Sequence, residues 1–168
     1  MRIADEIHYD SPPDRVARML ADQAFILAKC ERMGSLRHRA EVSGTAESGF
    51  TVRSTRVMPT DRIPDPARSL VGATATVTQT ERWQPAAADG SRHGRVRVEV
   101  VDTPVRFEAE LRLRAAADGG SVESVAGILT VSIPFIGVRV ERLAEPAIRA
   151  AFRRENLVGR EWLGEVAG

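Results

Sequence analysis

The chain has 168 residues, of which 43% are hydrophobic and 28% are charged, as in an ordinary globular protein. Its 24 basic and 23 acidic residues give a formal net charge of +1, so no overall field would attract nucleic acid or an anionic membrane. No stretch approaches the roughly 18 consecutive apolar residues that cross a bilayer. We therefore predict one domain over residues 1–168, with no nucleic-acid partner and no stable membrane insertion.

Two further features of composition bear on location and chemistry. Asp5 and Glu6 fall where a signal peptide would need an unbroken apolar segment, which favours a cytoplasmic protein. Cys30 is the only cysteine, so neither an internal disulfide nor a thiolate metal cluster can form within the chain. Its place among the apolar residues of 25–30 predicts a buried thiol in a helix. Lys29 is the only lysine, and a coding bias toward arginine explains this more simply than phosphate recognition.

The beginning of the chain predicts a strand followed by two short helices. Apolar residues alternate with polar ones over residues 2–9, which is the period of a strand with one buried face. The string Ser11-Pro12-Pro13-Asp14 predicts a helix start, with the Ser11 hydroxyl as the N-cap and proline in the first turn. A second helix follows and ends at Met33-Gly34.

Strands dominate the middle of the chain. Residues 35–58 change to a period of two and predict a hairpin. Prolines then interrupt the pattern, so residues 60–72 are expected to be irregular with one helical turn at 67–71, and whether 64–72 moves as a lid stays open. Alternation resumes, with turns between the segments, over residues 74–83, 95–100, 105–114 and 121–133.

A single long amphipathic helix is predicted from about Gly137 to Trp162, and Pro146 should kink it. Since no later helix is left to cover its apolar stripe, we expect this helix to lie against the concave face of the sheet, with any ligand between the two layers. The stripe could instead mark a membrane-surface segment or a dimer face, because arginines line its polar side. Interspersed glutamates weaken the membrane alternative.

Polar residues on inward-facing strand positions are the candidates for chemistry. His38 could exchange a proton with a ligand, or could be a core histidine bonded to a backbone carbonyl. Arg56 could point inward and hold a carboxylate or phosphate, or a bulge after Ser54 could turn it to water. Gln79 and Glu81 could be polar anchors in the pocket or partners of Arg56, and pairing is the cheaper arrangement for a buried carboxylate.

The rest of the catalytic inventory is thin. His8 and His93 are predicted to face solvent, and the histidines have no metal-ligand spacing. There is no Gly-rich phosphate loop, paired-cysteine motif or Gly-x-Ser-x-Gly turn. We therefore expect neither a metal nor a cofactor.

Several strings along the chain carry a family resemblance. They are Ser11-Pro12-Pro13-Asp14, Met58-Pro59-Thr60-Asp61, Val71-Gly72, Val131-Ser132-Ile133-Pro134 and Val158-Gly159-Arg160-Glu161-Trp162-Leu163. With the order of elements, they resemble a bacterial domain-of-unknown-function family in the START-like (SRPBCC) superfamily, which also contains polyketide cyclases, lipid-transfer domains and the pollen-allergen fold. The resemblance implies an α+β helix-grip fold, a curved antiparallel sheet wrapped around a long C-terminal helix. It carries over no catalytic residue, because one such scaffold hosts many functions.

We predict that the chain binds a hydrophobic or amphipathic small molecule or lipid in a cavity of roughly 300–1,000 Å³. The alternative is a cyclase- or hydrolase-type enzyme that acts on an aromatic or acyl substrate in the same cavity, with His38 and Arg56. A third hypothesis is a structural or regulatory protein whose interior is filled by its own side chains. Homodimerisation and the identity of the ligand stay open. The predicted lining is His38, Val52, Arg56, Val77, Gln79, Val98, Phe107, Ala109, Leu111, Val140, Leu143 and Ile148.

Overall fold

The computed structural model describes residues 1–165 and, within that range, every side chain except those of Pro66 and Leu70. The strands are β1 (Arg2–Tyr9), β2 (Arg37–Thr45), β3 (Gly49–Pro59), β4 (Thr74–Trp83), β5 (Arg92–Val100), β6 (Val105–Ala115) and β7 (Ser121–Val131). The helices are α1 (Pro13–Leu20), α2 (Gln23–Arg32), α3 (Asp65–Val71) and α4 (Gly137–Trp162). All seven strands form one antiparallel sheet in the order β1-β7-β6-β5-β4-β3-β2.

Strand pairing is continuous across the sheet, with one residue opposite one residue in each ladder. Arg56 lies opposite His38 on β2 and Val77 on β4. The bulge considered after Ser54 is therefore absent from β3, and Arg56 keeps the inward parity of Val52 because side chains alternate between faces.

Two local predictions in the helices are wrong in detail. The N-cap of α1 is Pro12, which has no side-chain acceptor, so no side chain caps the helix; its carbonyl oxygen accepts from the amides of Arg15 and Val16. The Ser11 hydroxyl accepts from Nη1 of Arg15 at 3.2 Å instead. The helical turn expected at 67–71 is longer than predicted, since α3 starts at Asp65.

α4 has the predicted bounds and is seated on the sheet near both of its ends. At its start Gly137 and Val140 are buried, and a Cβ on Gly137 would lie against the carbonyl oxygen of Val131. Near its end Val158 and Gly159 are buried, and a Cβ on Gly159 would lie 2.7 Å from Cε1 of Tyr9. Glycine at these two points therefore lets the helix backbone approach the sheet closely.

α1 and α2 lead from β1, at one edge of the sheet, to β2 at the other edge. α2 also contacts α4, where the rings of Phe25 and Trp162 meet edge to face with centroids 5.6 Å apart. Cys30 is fully buried in α2, as predicted. The core thus includes side chains from the sheet, both short helices and the C-terminal part of α4.

Candidate functional site

Inward apolar side chains of β4, β5 and α4 remain half-buried, at the margin of the core. Val77 and Val98 have the same strand parity as buried Ala75 and Val96, yet solvent still reaches them. Leu143 and Ile148 in the middle of α4 are half-buried as well. The layers meet nearby at Phe107 and Phe152, whose ring centroids are 6.3 Å apart. We use the name inner cleft for the inward positions Val77, Val98, Leu143, Ile148 and Phe152, all of which are half-buried.

The residues predicted to line a pocket fall into two groups by burial. The half-buried ones are His38, Val77, Gln79, Val98, Leu143 and Ile148. The buried ones are Val52, Arg56, Phe107, Ala109, Leu111 and Val140. Four of the buried residues, namely Val52, Phe107, Ala109 and Leu111, belong to the hydrophobic core cluster, so they form the floor of the sheet rather than an open wall.

Cross-strand register brings the polar and apolar candidates into adjacent rows. His38, Arg56 and Val77 are neighbours in one row. Gln79 and Val98 are paired in the next row, which continues to Phe107. The polar candidates therefore lie together at the β2–β4 side of the inner cleft.

Arg56 is 7% exposed and holds its guanidinium against uncharged groups. Its Nη2 donates to Oε1 of Gln79 at 3.0 Å, and its Nη1 donates to Sδ of Met33 at 3.6 Å. Within residues 1–165 it forms no ion pair with a carboxylate. Gln79 is therefore its partner, as one of the sequence alternatives proposed.

Glu81 is the centre of a buried polar network that continues from Gln79. Its two carboxylate oxygens accept from Nε2 of Gln79 and, at 3.2 Å, from Nε1 of Trp83. Nζ of Lys29 lies 3.8 Å from Glu81 and 2.6 Å from Oε1 of Glu155 on α4. Burial works to lower the pKa of Lys29, but Glu155 and Glu81 together outweigh it and raise that pKa, so the amine is charged.

Sequence analysis missed Lys29 and Glu155 as members of the site. A signal was present for both. Lys29 follows Phe25 by four residues, which places it on the buried face of α2, and Glu155 lies three residues after Phe152 in the apolar stripe of α4. Lys29 is the only lysine of the chain, and its side chain lies in the interior, with 2% exposed.

Glu123 and Tyr9 lie in the same interior without described partners for some of their polar atoms. Oε2 of Glu123 and the hydroxyl of Tyr9 are buried and form no hydrogen bond with residues 1–165. Burial, followed by the charges of Glu155 and Glu81, raises the pKa of Glu123 to about 8, so this carboxyl is largely protonated at neutral pH. Burial and the charge of Glu123 also raise the pKa of Tyr9.

His38 has a defined tautomer when it is neutral. The hydroxyl of Ser35 donates its only proton to the carbonyl oxygen of Cys30 at 2.8 Å. Ser35 Oγ lies 2.9 Å from Nδ1 of His38 and must accept there, so Nδ1 carries the proton and Nε2 keeps a lone pair. His38 is therefore linked to a backbone carbonyl only through Ser35, and not by the direct bond that was one of the two sequence alternatives. His8 and His93 are exposed, as predicted.

Two open depressions lie away from the predicted lining. One, of about 440 Å³, lies at the β7–α4 connection and includes Phe135 and Val138. The other, of about 190 Å³, lies between the end of α3, the start of β4 and the β5–β6 turn. None of the twelve predicted pocket residues lines either depression.

The curved seven-stranded antiparallel sheet with a long C-terminal helix is a helix-grip (START-like) fold, as the sequence resemblance implied. The family model described as "Protein of unknown function (DUF2505)" matches residues 5–163, and the chain belongs to that family. No curated protein matches the chain. Within residues 1–165, none of the helices combines the length and the apolar character needed to span a membrane.

Solved structures with the same fold are distant in sequence. TTHA0849 from Thermus thermophilus has a TM-score of 0.59 at 13% identity, with 95% of this chain and 97% of that one covered. Ara h 8.0201 has a TM-score of 0.53 at 13% identity, with 96% and 98% covered. Norcoclaurine synthase from Thalictrum flavum, in complex with dopamine and hydroxybenzaldehyde, has a TM-score of 0.53 at 13% identity, with 100% and 89% covered. At these identities the likeness is one of fold.

Proposed function

We propose that the chain binds a hydrophobic or amphipathic small molecule or lipid in the inner cleft, between the sheet and the middle of α4. The observation that carries this proposal is the incomplete burial of apolar side chains that face inward, Val77 and Val98 from the sheet and Ile148 from α4. Norcoclaurine synthase, which shares the fold, binds two small aromatic molecules, and this supports the proposal by analogy. A cytoplasmic location is part of the same proposal.

The physical argument is one of uncovered apolar area. Covering apolar surface is worth roughly 25 cal/mol per Å², so an apolar guest would gain by contact with the half-buried valines and with Leu143 and Ile148. The layers already touch at Phe107 and Phe152, which sets the inner limit of the guest. Polar groups at one side of the cleft, Arg56 and Gln79, would orient an amphipathic molecule.

A neutral fluorescent probe tests the proposal. We expect N-phenyl-1-naphthylamine to bind saturably, with a rise in fluorescence. Val77→Trp should fill the cleft and weaken binding at least about tenfold, because overpacking excludes the guest. Thr78→Trp, the next residue on the opposite face of β4, is the matched control and should leave binding unchanged. Equal effects of the two substitutions, or no saturable binding, would refute the proposal.

A second candidate function is an enzyme of the cyclase or hydrolase type that acts on an aromatic or acyl substrate in the same cleft. The observation that favours it is the tautomer of His38, whose Nε2 is left as a base by the bonds through Ser35. A base held in this way could remove a proton from a substrate bound near Arg56. His38→Gln should then abolish turnover while probe binding is retained, and turnover that survives this change would exclude the histidine as the base.

A further inference from the structure

We infer that the ligand of the inner cleft is an apolar carboxylic acid whose carboxylate pairs with Arg56; this inference rests on the proposed function. A buried charge is costly unless it is paired. Arg56 is 7% exposed, yet its described hydrogen bonds go to an amide oxygen of Gln79 and the thioether sulfur of Met33. Both acceptors are uncharged and the sulfur is a weak one. The arginine therefore has no carboxylate in direct contact.

The carboxylates nearby are engaged elsewhere. Glu155 contacts Nζ of Lys29 at 2.6 Å, and Glu81 lies 3.8 Å from the same amine. Glu81 also accepts from Gln79 and Trp83. Gln79 turns its amide oxygen to Arg56 and its NH₂ group to Glu81, so it separates the guanidinium from that carboxylate. The described bonds of Arg56 use two of the five N–H donors of a guanidinium.

A ligand would reach Arg56 past its partly exposed neighbours. Its cross-strand neighbours His38 and Val77 are both half-buried, and Val77 borders the inner cleft. Met33, which covers Nη1, is half-buried at the C-terminal end of α2. A methionine side chain is unbranched and flexible, so its sulfur can move aside for a stronger acceptor. A carboxylate in that place would form charge-assisted hydrogen bonds with the planar guanidinium.

The charges favour a monoanion. Lys29 and Arg56 balance the charges of Glu81 and Glu155, but both carboxylates contact Lys29, so Arg56 is the cation of this cluster that no carboxylate touches. A phosphate dianion would add two negative charges beside Glu81, whereas a carboxylate adds one. A carboxylate matches the single charge and the fork of one arginine.

The test measures displacement of bound N-phenyl-1-naphthylamine by decanoate, decan-1-ol and decyl phosphate at pH 7.5. For the unmodified chain we expect decanoate to bind at least about tenfold more tightly than decan-1-ol, as one charge-assisted pair would provide. Arg56→Gln should remove this preference and leave the affinity for decan-1-ol within about twofold. Arg53→Gln, an exposed arginine on the same strand, is the matched control and should keep the preference.

Several outcomes would overturn the inference. Equal affinity for the acid and the alcohol, a preference that survives Arg56→Gln, or tighter binding of decyl phosphate would each exclude the carboxylate assignment. In those cases saturable binding of N-phenyl-1-naphthylamine would still support the proposed function. Absence of probe binding would overturn the proposed function and this inference with it. If Arg56→Gln fails to fold, the comparison of acid and alcohol on the unmodified chain decides, because it changes only the ligand.

Discussion

The last third of α4 and its middle are two regions of one helix with opposite relations to the sheet. Near the end Val158 and Gly159 are buried, Gly159 lies close to Tyr9 of β1, and Glu155 forms an ion pair with fully buried Lys29. In the middle Leu143 and Ile148 are half-buried and reach only the margin of the core. The same amphipathic pattern therefore buries its side chains fully in one region and only partly in the other. We expect stability to depend on the first region and binding on the second.

Removal of Lys29 should have the largest effect on stability. Lys29→Met would leave Glu155 and Glu81 buried without their cation, and breaking a buried pair in this way costs about 3–5 kcal/mol. Urea unfolding would measure the loss. Arg32→Met is the matched control on the same helix, because Arg32 pairs with Glu161 at the surface and should cost about 1 kcal/mol or less. Similar losses of stability from the two changes would mean that the buried pair of Lys29 contributes no more than a surface ion pair.

Glu123 should make the stability of the folded chain depend on pH. The carboxyl has a pKa of about 8 in the folded chain and an ordinary value of 4.5. Between these values the unfolded chain loses the proton while the folded chain keeps it, so this group lowers stability as pH rises from 4.5 to 8. Glu123→Gln should remove that loss and become the more stable form by on the order of 3 kcal/mol at pH 9.

Urea unfolding at a series of pH values would test this prediction. The difference in free energy of unfolding between Glu123→Gln and the unmodified chain should grow steadily across the interval from 4.5 to 8. Glu110→Gln, at an exposed position of β6, serves as the control and should show no such growth. A constant difference at all pH values would mean that Glu123 is ionised in the folded chain.

Gly159→Ala tests the close approach of α4 to β1. In an exposed helix this change stabilises by about 1 kcal/mol, because alanine is the better helix former. Here the new methyl would lie 2.7 Å from Cε1 of Tyr9 and 3.1 Å from its hydroxyl. We expect a net loss of roughly 1–3 kcal/mol from overpacking, visible as a lower midpoint of thermal unfolding. A gain in stability would show that the helix stands further from the strand.

Truncation of the middle of α4 should have the smallest effect. Leu143→Ala removes a half-buried side chain and should cost about 1 kcal/mol. Leu20→Ala, at a position that is 1% exposed, is the control and should cost about 2–5 kcal/mol. Chemical denaturation measures both. Equal costs would mean that Leu143 is packed as tightly as the core, with no space beside it for a guest.

Most of the fold could be predicted because its signals are local and repeated. Alternation over many residues set the inward face of β3 and β6, and the apolar stripe of α4 gave its bounds, 137–162. The start of α1 was misassigned at Ser11, since a run of two prolines leaves more than one position for the cap. Such errors at the ends of helices amount to one or two residues, because helix ends fray and have no sharp boundary.

The site was predicted only in part, and the reason is physical. Strand parity was enough to place Arg56 and Gln79 on the inward face. The contact of Lys29 with Glu155 joins α2 to α4 across 126 positions of the chain. A local sequence pattern does not predict how two such distant helices pack. Glu123 shares parity with buried Val125 and could have been found, but its protonation depends on charges from other elements.

The order of the strands has a consequence for how the chain folds during synthesis. β1 leaves the ribosome before the other six strands, but Arg2 pairs with Ile128 on β7, the last of the seven to be made. Until then the inward side chains of β1 have no partner strand, and closing so long a loop costs entropy before any contact repays it. The hairpins of β2–β6 can form earlier, because each pairs with its neighbour in sequence. The nascent chain should therefore need protection of β1 until β7 has been translated.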